Sequence, residues 1–385
     1  MGQLGSLLPS NVVVLGCGLG GLSVSSVLSK QLGNKAAITI IEPRARIAFP
    51  PALPWVALGW RKPEKIQKPL KSLARRKNVR IIEERAEKID IARRRIATKT
   101  EDVPYDKLVV ALGAELGSDE IPGLETYGHN VYSLDGAVKL KDAIDNFQGG
   151  TIAVGVSRTP FKCPAAPYEF SLLLEERMRQ AKKNAEIQLF TPEPHPVPAA
   201  GTVIGKQVER LLVSRGIKYL PKTKPVKVER EKVVFENGSE MKYDLLMAVP
   251  PHRPPKVVVN AGLAEPSGWI PINPLNLATR HEGVYAIGDI AAVDTPHGHV
   301  PYLPKAGVFA QGQAEVLANN IAVSITSKGQ LRQWDGRGAC HLQVSKSESA
   351  FLQGSFLSNP PKLEFYPPSR KWYLDKVKRE KNWLS

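Results

Sequence analysis

A glycine-rich turn near the N-terminus constrains the fold of this 385-residue chain more than any other feature. An apolar run, Asn11 to Leu15, leads directly into Gly-Cys-Gly-Leu-Gly-Gly and then into a helical pattern of apolar residues. Gly16, Gly18 and Gly21 fit the G-x-G-x-x-G spacing. Glycines at these positions permit the tight turn, the approach of a pyrophosphate and the packing of helix on strand. The pattern predicts a strand, turn and helix that bind a dinucleotide.

A second apolar run, Ala37 to Ile41, ends in Glu42, where the carboxylate can hydrogen-bond an adenosine ribose. Arg44 and Arg46 could accommodate a 2′-phosphate, but Glu42 would repel it, so an unphosphorylated adenosine is expected. Cys17 lies between two of the turn glycines and is expected to pack as a small buried side chain.

Two later segments resemble parts of flavoprotein reductases that carry two dinucleotide-binding domains. The segment from Val103 to Gly113 resembles the strand and turn that leave the FAD domain, and the segment from Gly283 to Ile290 resembles the second FAD signature. By that resemblance Asp289 binds the ribityl chain. We therefore expect an α/β fold with two Rossmann-like domains, whose FAD-binding domain is discontinuous and spans residues 8–115 and 277–328.

The intervening residues 116–276 begin a second strand and turn at Thr151 to Gly155, but no further glycines follow to let the backbone close on a pyrophosphate. NAD(P)H is therefore not the expected electron donor. The turn instead delivers Cys163 to the end of the strand. A helix starting near Pro167, together with Lys162, is expected to lower the pKa of the Cys163 thiol.

The chain resembles the sulfide:quinone oxidoreductases and the related flavoprotein subunit of flavocytochrome c sulfide dehydrogenase. Besides the FAD motifs, the resemblance is carried by the segments Phe49 to Arg61, Lys162 to Glu169, Tyr302 to Gly307 and Pro367 to Arg370, and by Cys340. In that family the cysteines matching Cys163 and Cys340 face each other across the flavin, form a sulfur bridge and are reduced by sulfide. Some members carry a further redox cysteine that this chain lacks.

The resemblance also suggests roles for two charged residues. Glu169 follows Cys163 by one to two helical turns and is expected either to handle protons near the site or to serve only a structural role. Lys305 precedes a helical run and is expected to approach the flavin pyrimidine, where a cation would stabilise the reduced ring.

Residues 329–385 are expected to form a separate unit at the membrane and quinone interface. Aromatic and basic residues alternate after Pro367, a composition typical of segments whose rings lie at the lipid headgroups. Phe351, Phe356 and Trp372 are the candidate quinone contacts. A closing helix packed on the body is the alternative.

The formal net charge of +16 favours an anionic partner, here an anionic membrane surface. No nucleic-acid partner and no metal are expected, since His297 and His299 have no third ligand at suitable spacing. No apolar stretch is long enough to span a bilayer and no export signal is evident, so peripheral attachment at the cytoplasmic face is predicted. A homo-oligomer is possible.

Three alternatives to a sulfide:quinone oxidoreductase remain. A cytochrome-coupled sulfide dehydrogenase usually carries an export signal. A type II NADH:quinone oxidoreductase needs a dinucleotide turn where Arg158 to Cys163 stands. A non-catalytic flavoprotein that binds nucleic acid accounts for the charge but not for the cysteines.

Overall fold

The glycine-rich turn lies at the carboxyl end of the central strand of a five-stranded parallel sheet. A computed structural model describes residues 8–298 and 300–385 of the chain. In spatial order the first sheet contains Val284–Ala286, Lys107–Val110, Ser10–Leu15, Ala36–Ile41 and Val79–Ile82. The central strand is buried on both faces, as is usual for a parallel sheet, and this explains its run of valines. Because residues 284–286 pair with residues 108–110, two distant parts of the chain build one sheet.

Close approach of the backbone explains two of the turn glycines. Gly16 has φ +86°, and a Cβ there would lie 2.6 Å from the carbonyl oxygen of Ala111. A Cβ on Gly21 would lie 2.0 Å from the carbonyl oxygen of Gly16. The turn therefore excludes any side chain at either position, and the helix Leu19–Leu32 can begin directly after the strand. This helix packs against the long helix Gly307–Thr326.

A second parallel sheet of four strands forms the other Rossmann-like unit. In spatial order it contains Lys218–Leu220, Ala185–Phe190, Gly150–Val156 and Leu245–Val249. The helices that accompany it are Leu134–Asn146, Ala166–Gln180 and Gly201–Ser214. The two parallel sheets confirm the predicted α/β class.

Short elements complete both units. Two antiparallel meanders contain Lys88–Asp90, Arg95–Ala97 and Asp102–Pro104, and Pro225–Val228, Lys232–Phe235 and Glu240–Lys242. Three two-stranded pairs join Arg46–Ala48 to Gln67–Pro69, Glu115–Leu116 to His252–Arg253, and Ile270–Pro271 to Ala291–Ala292. Three short α-helices in the described ranges are Leu53–Ala57, Leu124–Tyr127 and Lys256–Asn260, and two 3-10 helices of four or more residues are Pro63–Ile66 and Leu70–Arg75.

The C-terminal region forms a three-stranded antiparallel sheet followed by a helix. The strands are Arg337–Gln343, Ser349–Ser355 and Lys362–Ser369, and the helix is Arg370–Leu384, called here the C-terminal helix. Within residues 8–298 and 300–385, no helix is long and apolar enough to cross a membrane.

The C-terminal helix turns its tryptophans toward the protein. Trp372 stacks on Phe351 with ring centroids 4.2 Å apart, and Trp383 packs on Phe49 at 5.2 Å. Both rings are half-buried and pack on the body, as in the alternative of a closing helix, and their placement at lipid headgroups stays a prediction. Trp383 packs against two of the hydrophobic clusters of the body, and so connects the C-terminal helix to it.

Candidate active site

A single cavity of about 2070 Å³ runs between the two Rossmann-like units and the C-terminal region. This is about twice the upper end of the usual range for small-molecule sites. Its walls include the glycine-rich turn, the start of the helix Gly307–Thr326, both Cys163 and Cys340, and part of the C-terminal helix. The cavity therefore joins the predicted cofactor motifs to the predicted thiols.

The turn end of the cavity fits a dinucleotide. Gly18 lines the cavity, and a Cβ on it would meet no atom within 4 Å, so the glycine leaves room there for a ligand. Glu42 also lines the cavity and accepts hydrogen bonds from the Cys17 backbone N–H at 2.8 Å and from Arg44 Nε at 2.7 Å. The Arg44 guanidinium holds the pKa of Glu42 below its usual value against the opposing effect of burial. Arg44 is therefore bound to Glu42. Cys17 is fully buried, as predicted.

Asp289 and Gly113 also line the cavity. The Asp289 Oδ1 atom is buried and has no hydrogen-bond partner among the described residues. Burial raises the pKa of Asp289, while Lys162 and Lys305 lower it. A buried acceptor without a donor is suited to a hydroxyl-bearing ligand such as the ribityl chain of FAD.

Lys305 is a buried cation next to Asp289. Its ammonium donates to the backbone carbonyl oxygen of Asp289 and lies 3.4 Å from the centre of the Trp269 ring. Burial lowers the pKa of Lys305 to about 7. Lys162 is one of the cations that line the large cavity, whereas Lys305 is not among the described residues of that wall. The side chain is held by Asp289 and Trp269, and the approach of a Lys305 cation to the flavin stays a prediction.

Backbone contacts fix Cys163 at the cavity wall. Its N–H donates to the carbonyl oxygen of Lys305 at 2.6 Å, and its own carbonyl oxygen accepts from Ala166, the first residue of the helix Ala166–Gln180. Cys163 has φ +54°, a conformation that non-glycine residues rarely adopt and that costs free energy. The turn thus presents the thiol to the cavity at a conformational cost.

Both thiols of the pair have raised pKa values. Cys163 is exposed to the cavity, yet partial loss of hydration there raises its pKa to about 12, and the neighbouring Cys340 and Glu169 act in the same direction. Burial raises the pKa of Cys340 to about 11. The expected lowering by the helix start and Lys162 is therefore wrong, because loss of hydration outweighs it. Cys163 and Cys340 are both free thiols, line one cavity and interact electrostatically.

Glu169 lies in a buried polar network at the same wall. One carboxylate oxygen pairs with the ammonium of Lys376 from the C-terminal helix, and the other accepts from the backbone N–H of Gln343 at 2.9 Å. The Gln343 amide oxygen accepts from Lys376 at 3.1 Å and from the Trp55 indole N–H at 2.7 Å. Glu169 therefore stands beside the thiols with a cation bound to it, and its proton-handling role stays a prediction.

The three candidate quinone contacts do not come together. Phe351 stacks on Trp372, whereas Phe356 packs edge-on against Phe309 in a different hydrophobic cluster. None of the three belongs to the described residues that line the large cavity. The three rings therefore lie at different places in the structure, and their contact with a quinone stays a prediction.

The described residues contain no group of three or more His, Cys, Asp and Glu side chains that could hold a metal ion. His297 contacts the carbonyl oxygen of Phe356 through Nε2 at 3.1 Å. His299 lies outside the described residues.

Sequence reasoning missed the part that the C-terminal helix plays in this site. Lys376, Arg379 and Trp383 line the cavity, and Lys376 is 5% exposed. Tyr132, just before the helix Leu134–Asn146, also lines the cavity. The only sequence signal for the burial of Lys376 is its position four residues before Glu380, which is also buried. This spacing does not distinguish Lys376 from the other cations of the tail.

The model of the pyridine nucleotide-disulphide oxidoreductase family matches residues 10–314. The chain is 28% identical over 334 residues to the sulfide-quinone reductase of Aquifex aeolicus, an alignment that covers 82% of this chain and 76% of that protein. It is 26% identical over 355 residues to the mitochondrial sulfide:quinone oxidoreductase of Dictyostelium discoideum, with 88% and 76% covered.

The crystal structure of the Aquifex aeolicus sulfide:quinone oxidoreductase superposes with a TM-score of 0.89 at 24% sequence identity. The superposition covers 97% of this chain and 90% of that one. The likeness therefore extends through the C-terminal sheet and helix, beyond the residues that the family model matches.

Proposed function

This chain belongs to the pyridine nucleotide-disulphide oxidoreductase family, and from that premise we propose that it oxidises sulfide and delivers the electrons to a membrane quinone. Its cofactor is FAD. The observation that carries the proposal is the placement of Cys163 and Cys340 in one cavity with the FAD-binding motifs. The alignments cover 76% of each of two relatives named as sulfide:quinone oxidoreductases, which supports the same conclusion.

The residues that would hold FAD are those of the glycine-rich turn, Glu42, Gly113 and Asp289. When bound, FAD supplies a two-electron acceptor between the thiol pair and the quinone. Gly16 and Gly18 leave the turn free of side chains, and Glu42 provides a carboxylate at the adenosine end. Asp289 offers its unpartnered Oδ1 to a hydroxyl of the chain that links the two halves of the cofactor.

The thiol pair is the proposed point of attack. In the oxidised pair, hydrosulfide forms a bond to one cysteine sulfur, the bond between Cys163 and Cys340 breaks, and its electron pair leaves on the other cysteine as a thiolate. The products are a cysteine persulfide and a thiolate, so this exchange needs no further oxidant. Re-forming the bridge after the sulfane sulfur leaves releases the two electrons that pass to the quinone.

The Glu169–Lys376 pair would handle the charge of this exchange. The Lys376 ammonium lowers the pKa of Cys163, whereas the Glu169 carboxylate raises it. A thiolate released at Cys163 is therefore favoured by the cation, and a proton that leaves hydrosulfide can be held at a Glu169 oxygen.

A quinone acceptor requires contact with a membrane. We place that contact on the outer face of the C-terminal helix, where Lys371, Leu374, Lys378 and Lys381 are exposed. Lysines and a leucine on one helix face suit peripheral binding to an anionic surface, as does the net charge of +16. The cytoplasmic face is the proposed side.

The second Rossmann-like turn disfavours NADH as the donor. A Cβ on Gly155 would lie 2.0 Å from the Phe190 ring, so this ring covers the only glycine of the turn. Arg158 in the turn is bound to Glu120 at 2.7 Å. Side chains therefore occupy the place that a dinucleotide would need.

Replacement of each thiol tests the proposal. Cys163→Ser and Cys340→Ser should retain FAD and lose sulfide-dependent quinone reduction by about a thousandfold or more, since serine cannot form a persulfide. Offering cytochrome c in place of the quinone separates the proposal from a cytochrome-coupled dehydrogenase. Near-parental turnover in either variant, with FAD content confirmed by absorbance, would overturn the dithiol chemistry.

A further inference from the structure

The turn that carries Cys163 is held by a distant part of the chain. Cys163 has φ +54°, and a non-glycine residue keeps such a conformation only where neighbouring groups fix it. Its carbonyl oxygen accepts from the Ala166 N–H at 2.8 Å, within the same turn. Its N–H donates to the carbonyl oxygen of Lys305 at 2.6 Å, and Lys162 forms a parallel β-bridge with Lys305. Lys305 therefore supplies the restraint that comes from outside the turn.

The Lys305 side chain fixes the backbone that makes this contact. Its ammonium donates to the backbone carbonyl oxygen of Asp289 at 2.5 Å and lies 3.4 Å from the centre of the Trp269 ring. Lys305 and Trp269 are 6% and 3% exposed. A charge-assisted hydrogen bond and a cation–π contact are both stronger away from water. The side chain thus anchors residue 305 to the segment that carries Asp289.

This anchor carries a charge whose burial is unfavourable. Loss of hydration lowers the pKa of Lys305 to about 7, against the opposing effect of Asp289. An apolar side chain of similar length, such as methionine, would fill the space without that cost. The charged contacts are therefore better explained by the position that they give to the Lys305 backbone than by a gain in overall stability.

Resting on the proposed sulfide oxidation, we propose that Lys305 is a positioning residue that holds Cys163 in its strained conformation and so keeps the thiol placed for its bridge with Cys340. Lys305 acts through its backbone carbonyl oxygen, which its side chain keeps in place. The role requires no contact between the ammonium and FAD, and it involves no transfer of electrons or protons.

Lys305→Met removes both side-chain contacts and keeps the length of the side chain. In the FAD-loaded protein, we measure hydrogen–deuterium exchange of the Cys163 amide by mass spectrometry on a peptide spanning residues 161–166. Exchange should be about tenfold faster, because a looser Lys305 weakens the hydrogen bond that protects this amide. Exchange in the strand Gly150–Val156 should stay parental, which separates a local release from general destabilisation.

The reduction potential of the thiol pair gives a second readout. A looser turn lowers the effective concentration of Cys163 at Cys340, so the bridge forms less readily. In thiol–disulfide buffers, followed by alkylation and mass spectrometry, the equilibrium constant for bridge formation should fall about tenfold in Lys305→Met. The reduction potential of the pair then rises by about 30 mV. A residue with a merely structural role would not move this potential.

Lys68→Met is the matched control. Lys68 also donates to a backbone carbonyl oxygen, that of Trp383, and lies 4.4 Å from the centre of the Trp383 ring. The variant loses the same two kinds of contact in a different segment, so exchange of the Cys163 amide should stay parental. Lys305→Arg keeps the cation and should lie closer to the parent than Lys305→Met. Equal effects of Lys68→Met and Lys305→Met, or parental exchange in Lys305→Met, would overturn the proposal.

Exchange at Cys163 does not depend on sulfide oxidation. If the parent protein is not reduced by sulfide, the proposed function fails, while faster exchange in Lys305→Met still supports the role of Lys305. If Lys305→Met loses FAD, the comparison moves to Trp269→Phe, which keeps a ring but weakens the contact with the ammonium. Trp269→Phe should speed exchange of the Cys163 amide by a smaller factor, and no change in that variant would overturn the proposal.

Discussion

Replacing Lys376 with methionine should destabilise the protein far more than a surface charge would. Lys376 and Glu169 are 5% and 6% exposed, and their ion pair lies beside Gln343 and above the Trp55 ring, 5.0 Å from its centre. Lys376→Met leaves the Glu169 carboxylate buried with only the Gln343 N–H as a donor. Removing one partner of a buried pair costs about 3–5 kcal/mol. We expect a loss of unfolding free energy of that size.

The assay is urea unfolding followed by circular dichroism at saturating FAD, which keeps the stabilisation by the cofactor constant. The double variant Glu169→Gln with Lys376→Met should recover much of the loss, because the uncompensated charge is then absent. Lys378→Met, on the exposed face of the same helix, is the matched control and should change the free energy by less than about 0.5 kcal/mol. A Lys376→Met protein within about 1 kcal/mol of the parent, or no recovery in the double variant, would refute the view that this pair is a buried structural link.

Three further predictions concern the thiols and the tail. Cys17→Ser should keep sulfide-dependent turnover near the parental level, since Cys17 is fully buried in the glycine-rich turn. A loss as large as that of the Cys163 variant, with FAD retained, would contradict the assignment of Cys17 as a structural residue. Because the pKa of Cys163 is raised to about 12, its thiolate fraction at pH 8 is about a thousandfold below that of a free cysteine. Alkylation of Cys163 should therefore be slow at pH 8 and accelerate about tenfold per pH unit up to the pKa. A plateau in the alkylation rate below pH 9 would contradict this prediction. Deleting residues 370–385 removes Lys376 and part of the cavity wall. The deletion should therefore weaken FAD retention and sulfide-dependent flavin reduction, both measured by absorbance, and not membrane binding alone. Unchanged flavin reduction would show that the helix is dispensable for the site.

Structural features that are determined by contacts between residues close in the sequence could be predicted from the sequence. Gly16 and Gly21 are required by contacts within one turn, so their spacing alone predicts the strand, turn and helix. The α/β class followed from a repeat of the same kind of pattern, and FAD followed from the resemblance of two later segments to flavoprotein reductases. Quantities that depend on how the folded protein surrounds a side chain, such as its pKa, could not be predicted in this way.

The pKa of Cys163 is an example of such a quantity. A helix start and a lysine are visible in the sequence, but the loss of hydration that outweighs them depends on surrounding segments far along the chain. The tail shows the same limit. Its composition is that of an interfacial segment, yet Trp372 and Lys376 face the protein, because burial of a particular helix face is decided by tertiary contacts.

The most direct test of the central claim is anaerobic stopped-flow measurement of flavin absorbance after mixing the purified FAD-loaded protein with sulfide or with NADH. The proposed chemistry predicts that sulfide bleaches the flavin far faster than NADH, and that Cys163→Ser abolishes the fast sulfide phase while FAD stays bound. Bleaching by NADH at a comparable rate, or an unchanged sulfide phase in Cys163→Ser, would contradict the account.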